Sequence, residues 1–205
     1  MNILMLGATG RVGSNILKLA LSDQHQVTVL ARSPEKLPTN SNLTIVEGDV
    51  LNEDVVEKAA KGVDVIISAL GTDKTTTLSE STPILMRVMK NQRINRIITV
   101  GTAGILNSRI EPTLYRFESS ESKRKTTRAA KEHLSVYETL SANDLDWSII
   151  CPTYLPDGPA KGEYRVEEDY LPDGGREIST ADTAAFVYKE LIDGNHSCKR
   201  VGIAY

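Results

Sequence analysis

The stretch that decides the fold is Asn2-Ile3-Leu4-Met5-Leu6 followed by Gly7-Ala8-Thr9-Gly10-Arg11-Val12-Gly13. An apolar run runs straight into three glycines spaced three apart. Val12, Ile16, Leu19 and Ala20 then recur at helical spacing. This reads as a buried strand, a tight turn and a helix. In such a unit Gly7 makes the turn out of the sheet. Gly10 lets the backbone approach a pyrophosphate, and Gly13 allows helix and strand to pack closely. Amides at the helix start, helped by the helix dipole, suit an anion. A ligand-free tight turn is the alternative.

Outward from this unit, strand and helix patterns alternate. Strands are expected over residues 27–30, 43–46, 63–70 (VDVIISAL), 97–100, 147–151 and 200–204. Helices are expected over residues 55–60, from Thr82-Pro83 to about Gln92, over 122–141, and over 181–191 with Ser179 or Thr180 as cap and Gly194 as stop. The strands are continuous Val/Ile/Leu runs, as expected of strands covered on both faces. The sequence therefore predicts an α/β, doubly wound parallel Rossmann sheet with helices on both faces, in one domain spanning residues 1–205. Two irregular stretches, 105–121 and 152–178, are expected to wall a substrate site. The second carries Pro152, Pro156, Pro159 and Pro172 with Gly158, Gly162, Gly174 and Gly175.

Bulk properties narrow the function classes. The chain has 205 residues, 40% hydrophobic and 25% charged, with a formal net charge of -3 and a pI near 5.7. A mildly acidic chain is a poor match for nucleic acid, whose phosphates call for surplus Lys and Arg. The one basic run, Lys123-Arg124-Lys125 with Arg128, reads as a solvated helix start. No apolar run approaches the roughly 20 residues of a membrane helix, and the N-terminus lacks the basic region of a signal peptide. Two cysteines, Cys151 and Cys198, make no disulfide framework. A cytoplasmic protein is expected, a monomer by default with a dimer possible, acting on a small-molecule substrate. His25, His133 and His196 are scattered, so no metal site is expected.

Arg32, with Ser33, follows the second strand, where the adenosine ribose is read. An acid there would mark NAD, and none occurs before Glu35. A guanidinium suits a 2′-phosphate, so NADP(H) is the expected cofactor, with Arg11 as a second positive charge. Arg32 as a plain surface residue is the alternative. Small residues at Ala69-Leu70-Gly71 leave room for phosphates and ribose or simply pack.

The spacing G-x-x-G-x-x-G resembles the GATGxxG turn of extended and atypical short-chain dehydrogenase/reductase families. That resemblance implies that Asp49-Val50 contacts the adenine, although Asp49 equally suits a helix cap. It also implies that the Thr102 hydroxyl sits beside the nicotinamide, and that Pro152-Thr153-Tyr154 lies along its carboxamide edge. Thr102 otherwise satisfies a loose backbone group, and Tyr154 otherwise packs in its loop. The chain contains no Tyr-x-x-x-Lys pair. Glu138 to Trp147 resembles the family pattern ExLxxSGLDW. Counting back from it puts Ala129 at the Tyr position and His133 at the Lys position. This arrangement, with Asp157 to Val166 and Ile178-Ser179-Thr180-Ala181-Asp182, resembles the biliverdin-IXβ reductase/flavin reductase branch of the NmrA-like group. The chain departs from many NmrA-like relatives in having Cys151-Pro152 where they have Arg-Pro. The resemblance implies an NADPH-dependent oxidoreductase passing hydride to a flavin, quinone or similar flat acceptor, with Thr102 and His133 as catalytic residues. His133, with a pKa near neutrality, would give a proton or a hydrogen bond. Two other readings stay open: an NADP(H)-sensing NmrA-like regulator without turnover, and a nucleotide-sugar epimerase or dehydratase.

Overall fold

The structure, a computed structural model, describes residues 1–72, 75–122, 124 and 126–205. Lys123 and Lys125 of the basic run lie outside the described residues. The elements follow the expected alternation: β1 (Asn2–Leu6), α1 (Gly13–Ser22), β2 (Gln26–Ala31), β3 (Leu43–Glu47), α2 (Glu53–Ala59), β4 (Val65–Ser68), α3 (Thr77–Gln92), β5 (Arg96–Val100), α4 (Arg128–Ser141), β6 (Asp146–Pro152), β7 (Arg165–Glu168), α5 (Thr180–Asp193) and β8 (Lys199–Ala204). They form one sheet in the order β3-β2-β1-β4-β5-β6-β8-β7, parallel except for β7 against β8. The chain thus winds outward from β1 in both directions. This places a topological switch point between β1 and β4, where a crevice opens beyond the strand ends.

Two apolar layers cover the sheet. Ile3, Met5, Val27, Val29 and Ile67 pack under α1 and α5. Leu4, Leu6, Ile66 and Ile97 pack under α2, α3 and α4. Alternate residues of β1 therefore serve opposite layers, which is why its sequence has no polar face.

Three expectations are corrected. Residues 152–178 are not wholly irregular: β7 forms an antiparallel edge strand within them. Its sequence, Arg165-Val166-Glu167-Glu168, carries a single apolar residue because an edge strand is largely solvated. Helix α3 begins at Thr77, not near Pro83, which lies inside it. The early start has a tertiary cause. Glu132 on α4 accepts the Ser79 N–H at 3.1 Å and the Ser79 hydroxyl at 3.1 Å. One orphan amide of the first turn is thereby capped from another helix. Helix α4 begins at Arg128, after Thr127, and not at residue 122. Of the two candidate caps for α5, Ser179 is the one used: its hydroxyl accepts the Asp182 N–H at 3.0 Å. Gly194 ends α5 with φ of +62°.

Candidate functional site

A cavity of about 610 Å³ opens at the β1/β4 switch point, within the size range of small-molecule and cofactor sites. Its floor is the glycine turn. Gly7 has φ of +75°, and a Cβ there would sit 2.4 Å from the Ala69 carbonyl oxygen. A Cβ at Gly13 would sit 2.1 Å from the Gly7 carbonyl oxygen. Only glycine lets turn, helix and β4 exit approach this closely. The Gly10 N–H closes the turn onto the Gly7 carbonyl at 3.0 Å. Helix α1 starts without a side-chain cap, so no side chain competes with an anion for its first amides.

From the turn, the cavity runs past Arg32 and Asp49-Val50 on one side and Ala69-Leu70-Gly71 on the other. It reaches Val100-Gly101 at the end of β5 and His133 on α4. Gly7, Thr9, Gly10, Arg11, Val12, Arg32, Asp49, Val50, Ala69, Leu70, Gly71 and His133 are thus brought together. Gly13 lies beneath the lining as a packing residue. Ser33, Thr102 and Pro152-Thr153-Tyr154 are outside the lining. The Thr102 hydroxyl accepts the Gly104 N–H at 3.4 Å. Tyr154 is 60% exposed, and its backbone pairs with that of Glu177. Asp49 accepts the Leu51 N–H at 2.9 Å, while Asn52 is the residue that caps α2.

Sequence reading missed Thr77 and Leu155, which also line the cavity. Their positions depend on where α3 starts and on how the chain folds after β6. Leu155 begins a segment, residues 155–162, held largely by side chains, with one backbone bond from the Thr180 N–H to the Pro156 carbonyl at 3.1 Å. Arg11 donates to the Leu155 carbonyl at 2.9 Å and to Asp157 at 3.1 Å. Its guanidinium therefore bridges the two walls. Asp182, fully buried, accepts the backbone N–H of Lys161 at 2.8 Å and of Gly162 at 3.0 Å. It also accepts the Tyr205 hydroxyl at 2.5 Å. Burial alone would raise its pKa, but the hydrogen bonds from Tyr205, Lys161, Gly162 and Ser179 outweigh this and hold it below the usual carboxylate value. The Ser179-x-x-Asp182 spacing marks a helix start. It carries no sign of the loop that Asp182 holds.

His133 departs from the expectation of a near-neutral pKa. Burial lowers it to about 4, and no hydrogen-bond partner for its ring occurs among the described residues. At neutral pH it is an uncharged imidazole facing the cavity. It can donate one hydrogen bond and accept another, but it does not carry a titratable proton there. Cys151 is fully buried and its thiol is pushed up to about 12, again by burial. It is therefore a packing residue and no nucleophile. Among the described residues no group of three or more His, Cys, Asp or Glu side chains is arranged to hold a metal. No helix among them is long and apolar enough to cross a membrane.

A family model described as NAD(P)H-binding matches residues 7–193. The protein YwnB of Bacillus subtilis is 26% identical over 208 residues, covering 98% of this chain and 96% of its own. A proposed epimerase from Bacteroides thetaiotaomicron has the same fold at a TM-score of 0.86, with 30% identity over 100% of this chain and 96% of that one. A proposed NADH-flavin reductase from Streptococcus pneumoniae superposes with a TM-score of 0.83 at 24% identity, over 100% and 99% of the two chains.

Proposed function

The chain belongs to the NAD(P)H-binding family, and from that premise we propose that it is an NADPH-dependent reductase of a flavin, quinone or similar flat, electron-poor acceptor. The observation that carries this reading is the single cavity that joins the glycine turn, Arg32 and His133. The residues fit a dinucleotide: Gly7 and Gly10 line the cavity without side chains, and Arg32 lines the same cavity with a guanidinium.

In this reading the amides of the glycine turn other than that of Gly10 take the pyrophosphate, and Arg32 takes the 2′-phosphate as a charged fork. Asp49 and Val50 bound the adenine, and Ala69 to Gly71 leave space for ribose and phosphate. Thr102 follows the Val100-Gly101 wall, and Pro152 to Tyr154 precedes Leu155. They are assigned to the nicotinamide end, Thr102 and Tyr154 by hydroxyl hydrogen bonds. The bound nicotinamide supplies hydride at its C4 carbon. The chain's own part is to orient, to exclude water and to offer the neutral His133 as a hydrogen-bond partner to the acceptor. With no Tyr-x-x-x-Lys pair and an uncharged His133, the residues here favour acceptors whose proton comes from solvent. The same lack speaks against the epimerase reading. We place the protein in the cytoplasm, as two unpaired cysteines suit a reducing compartment.

The test is NADPH oxidation with FMN, FAD, a benzoquinone and biliverdin as acceptors. At least one is expected to be reduced faster with the protein than without it. If none is, the reductase reading falls. The regulator reading then gains, on the same observation that the His133 imidazole lining the cavity is uncharged at neutral pH. It predicts partner binding that changes with the redox state of the nicotinamide.

A further inference from the structure

A second, smaller cavity of about 200 Å³ lies between residues 109–121 and residues 171–176. Among the described residues, Arg109, Arg116 and Arg176 line it with two acids, Glu121 and Asp173. Glu121 is already engaged. It accepts the Arg109 backbone N–H at 2.8 Å and the Arg116 Nε–H at 3.3 Å. Arg116 is thereby held by Nε alone, which leaves its two terminal amino groups without a hydrogen-bond acceptor among the described residues. Arg109 is fixed by Glu167 and by the Leu171 carbonyl. Its guanidinium also lies 5.0 Å from the centre of the Tyr170 ring. Arg176 is exposed and has no ion-pair partner among the described residues. The turn beneath it is rigid. The Gly175 N–H donates to the Pro172 carbonyl at 2.9 Å, Gly174 has φ of +67°, and Arg165 donates to the Asp173 carbonyl.

The cavity is therefore built with more donors than acceptors. Each guanidinium carries five N–H donors, and few of these fifteen are spent inside the protein. Preorganised forks of this kind match oxyanions. A lone carboxylate needs one fork, whereas three arginines around one cavity suit a phosphate dianion. The chain path links it to the main cavity. Arg176 precedes Glu177, whose backbone pairs with Tyr154, and Tyr154 precedes Leu155 in the wall of the main cavity.

We propose that this cavity is an anion subsite that takes the phosphate monoester group of the acceptor. Its assignment to the acceptor rests on the reductase reading, while phosphate binding itself does not. A flat acceptor bearing a phosphorylated side chain is the substrate class it selects.

The first test is a titration of the isotope-labelled full chain with inorganic phosphate at fixed ionic strength, followed by amide NMR. Gly174 and Gly175 report this site, and Gly7 and Gly10 report the glycine turn. The proposal expects saturable shifts at Gly174 and Gly175, and binding at least tenfold weaker in Arg176→Gln. Because the Arg176 side chain is exposed, that variant is expected to fold. Shifts confined to Gly7 and Gly10, shifts reproduced by chloride, or shifts unaffected by Arg176→Gln overturn it. The second test compares FMN with riboflavin, which lacks the phosphate. A kcat/KM ratio of at least ten in favour of FMN, falling severalfold in Arg176→Gln, supports assignment to the acceptor. A ratio near one overturns that assignment. If neither flavin is reduced, the reductase reading fails, and the phosphate titration still decides the subsite.

Discussion

The two walls of the main cavity are made by different means. The wall at β1 is backbone: glycines at 7, 10 and 13 in a fixed turn, with no side chain required to hold it. The other wall, begun by Leu155, belongs to an irregular segment, residues 155–162, held by Arg11 and by Asp182, which Tyr205 in turn holds. A backbone wall has one shape, set by sterics. A tethered wall has a shape set by hydrogen bonds, and those from side chains are each removable by one substitution or one proton. The first suits a constant ligand such as a dinucleotide, and the second suits a variable one.

Glycine substitutions in the turn and in the tethered segment should break this contrast most sharply. A Cβ at Gly13 meets the Gly7 carbonyl oxygen at 2.1 Å. Gly13→Ala is expected to cost about 3 kcal/mol or more by overpacking, and to abolish cofactor binding. At Gly162, φ is +79° but a Cβ would meet nothing within 4 Å. Gly162→Ala should cost only about 1–2 kcal/mol, from backbone strain. Denaturant unfolding of both variants measures the difference, and equal losses would remove the distinction.

A pH effect of similar size is expected from His133. Its folded pKa, about 4, is below the unfolded value of about 6.5. The unfolded state therefore binds the proton first as pH falls. Stability should decline between pH 6.5 and 4, by up to roughly 3 kcal/mol. His133→Gln should flatten that slope, and an unchanged slope in the variant would place its origin elsewhere.

Asp182 sharpens the contrast from the tethered side. Asp182→Asn replaces an ionic acceptor of several bonds with a half-matched amide and should cost about 2 kcal/mol. Amide exchange at Lys161 and Gly162 should quicken while that in β1 does not. Asp182 has a lowered pKa, so its contribution is complete above the unfolded carboxylate pKa. It is lost as pH falls through the still lower folded value. Unchanged exchange at Lys161 would show that another contact holds the wall.

The smallest effect belongs to the Arg11–Asp157 pair. Both side chains are largely exposed, 59% and 71%, so Asp157→Asn should change stability by less than about 1 kcal/mol. Its expected signature is kinetic, a faster release of the dinucleotide measured by stopped flow. An unchanged release rate would mean that the bridge does not span the bound cofactor.

The same contrast explains what the sequence made legible. The β1 wall was readable because sterics tie Gly7, Gly10 and Gly13 to single positions in a strand-turn-helix unit. Arg32 and Ala69-Leu70-Gly71 followed from the ends of neighbouring strands. The start of α3 was hidden because Glu132, 53 residues beyond Ser79 in the chain, supplies its cap. Strand β7 was hidden because Arg165-Val166-Glu167-Glu168 shows no apolar alternation. His133 was located by register, but its lowered pKa depends on what surrounds it in three dimensions. Arg200 looked like an ordinary strand residue. It is buried, binds Asp169 at 3.1 Å and the Ile105 carbonyl at 2.5 Å, and so ties residue 105 to β8.

The most direct test of the account is a pair of calorimetric titrations, NADPH and NADH into the purified protein. The account predicts one site, with NADPH bound at least tenfold more tightly, a difference of about 1.4 kcal/mol, and with that preference lost in Arg32→Glu. Equal or tighter binding of NADH would contradict the role given to Arg32. Binding of neither would contradict the dinucleotide site itself.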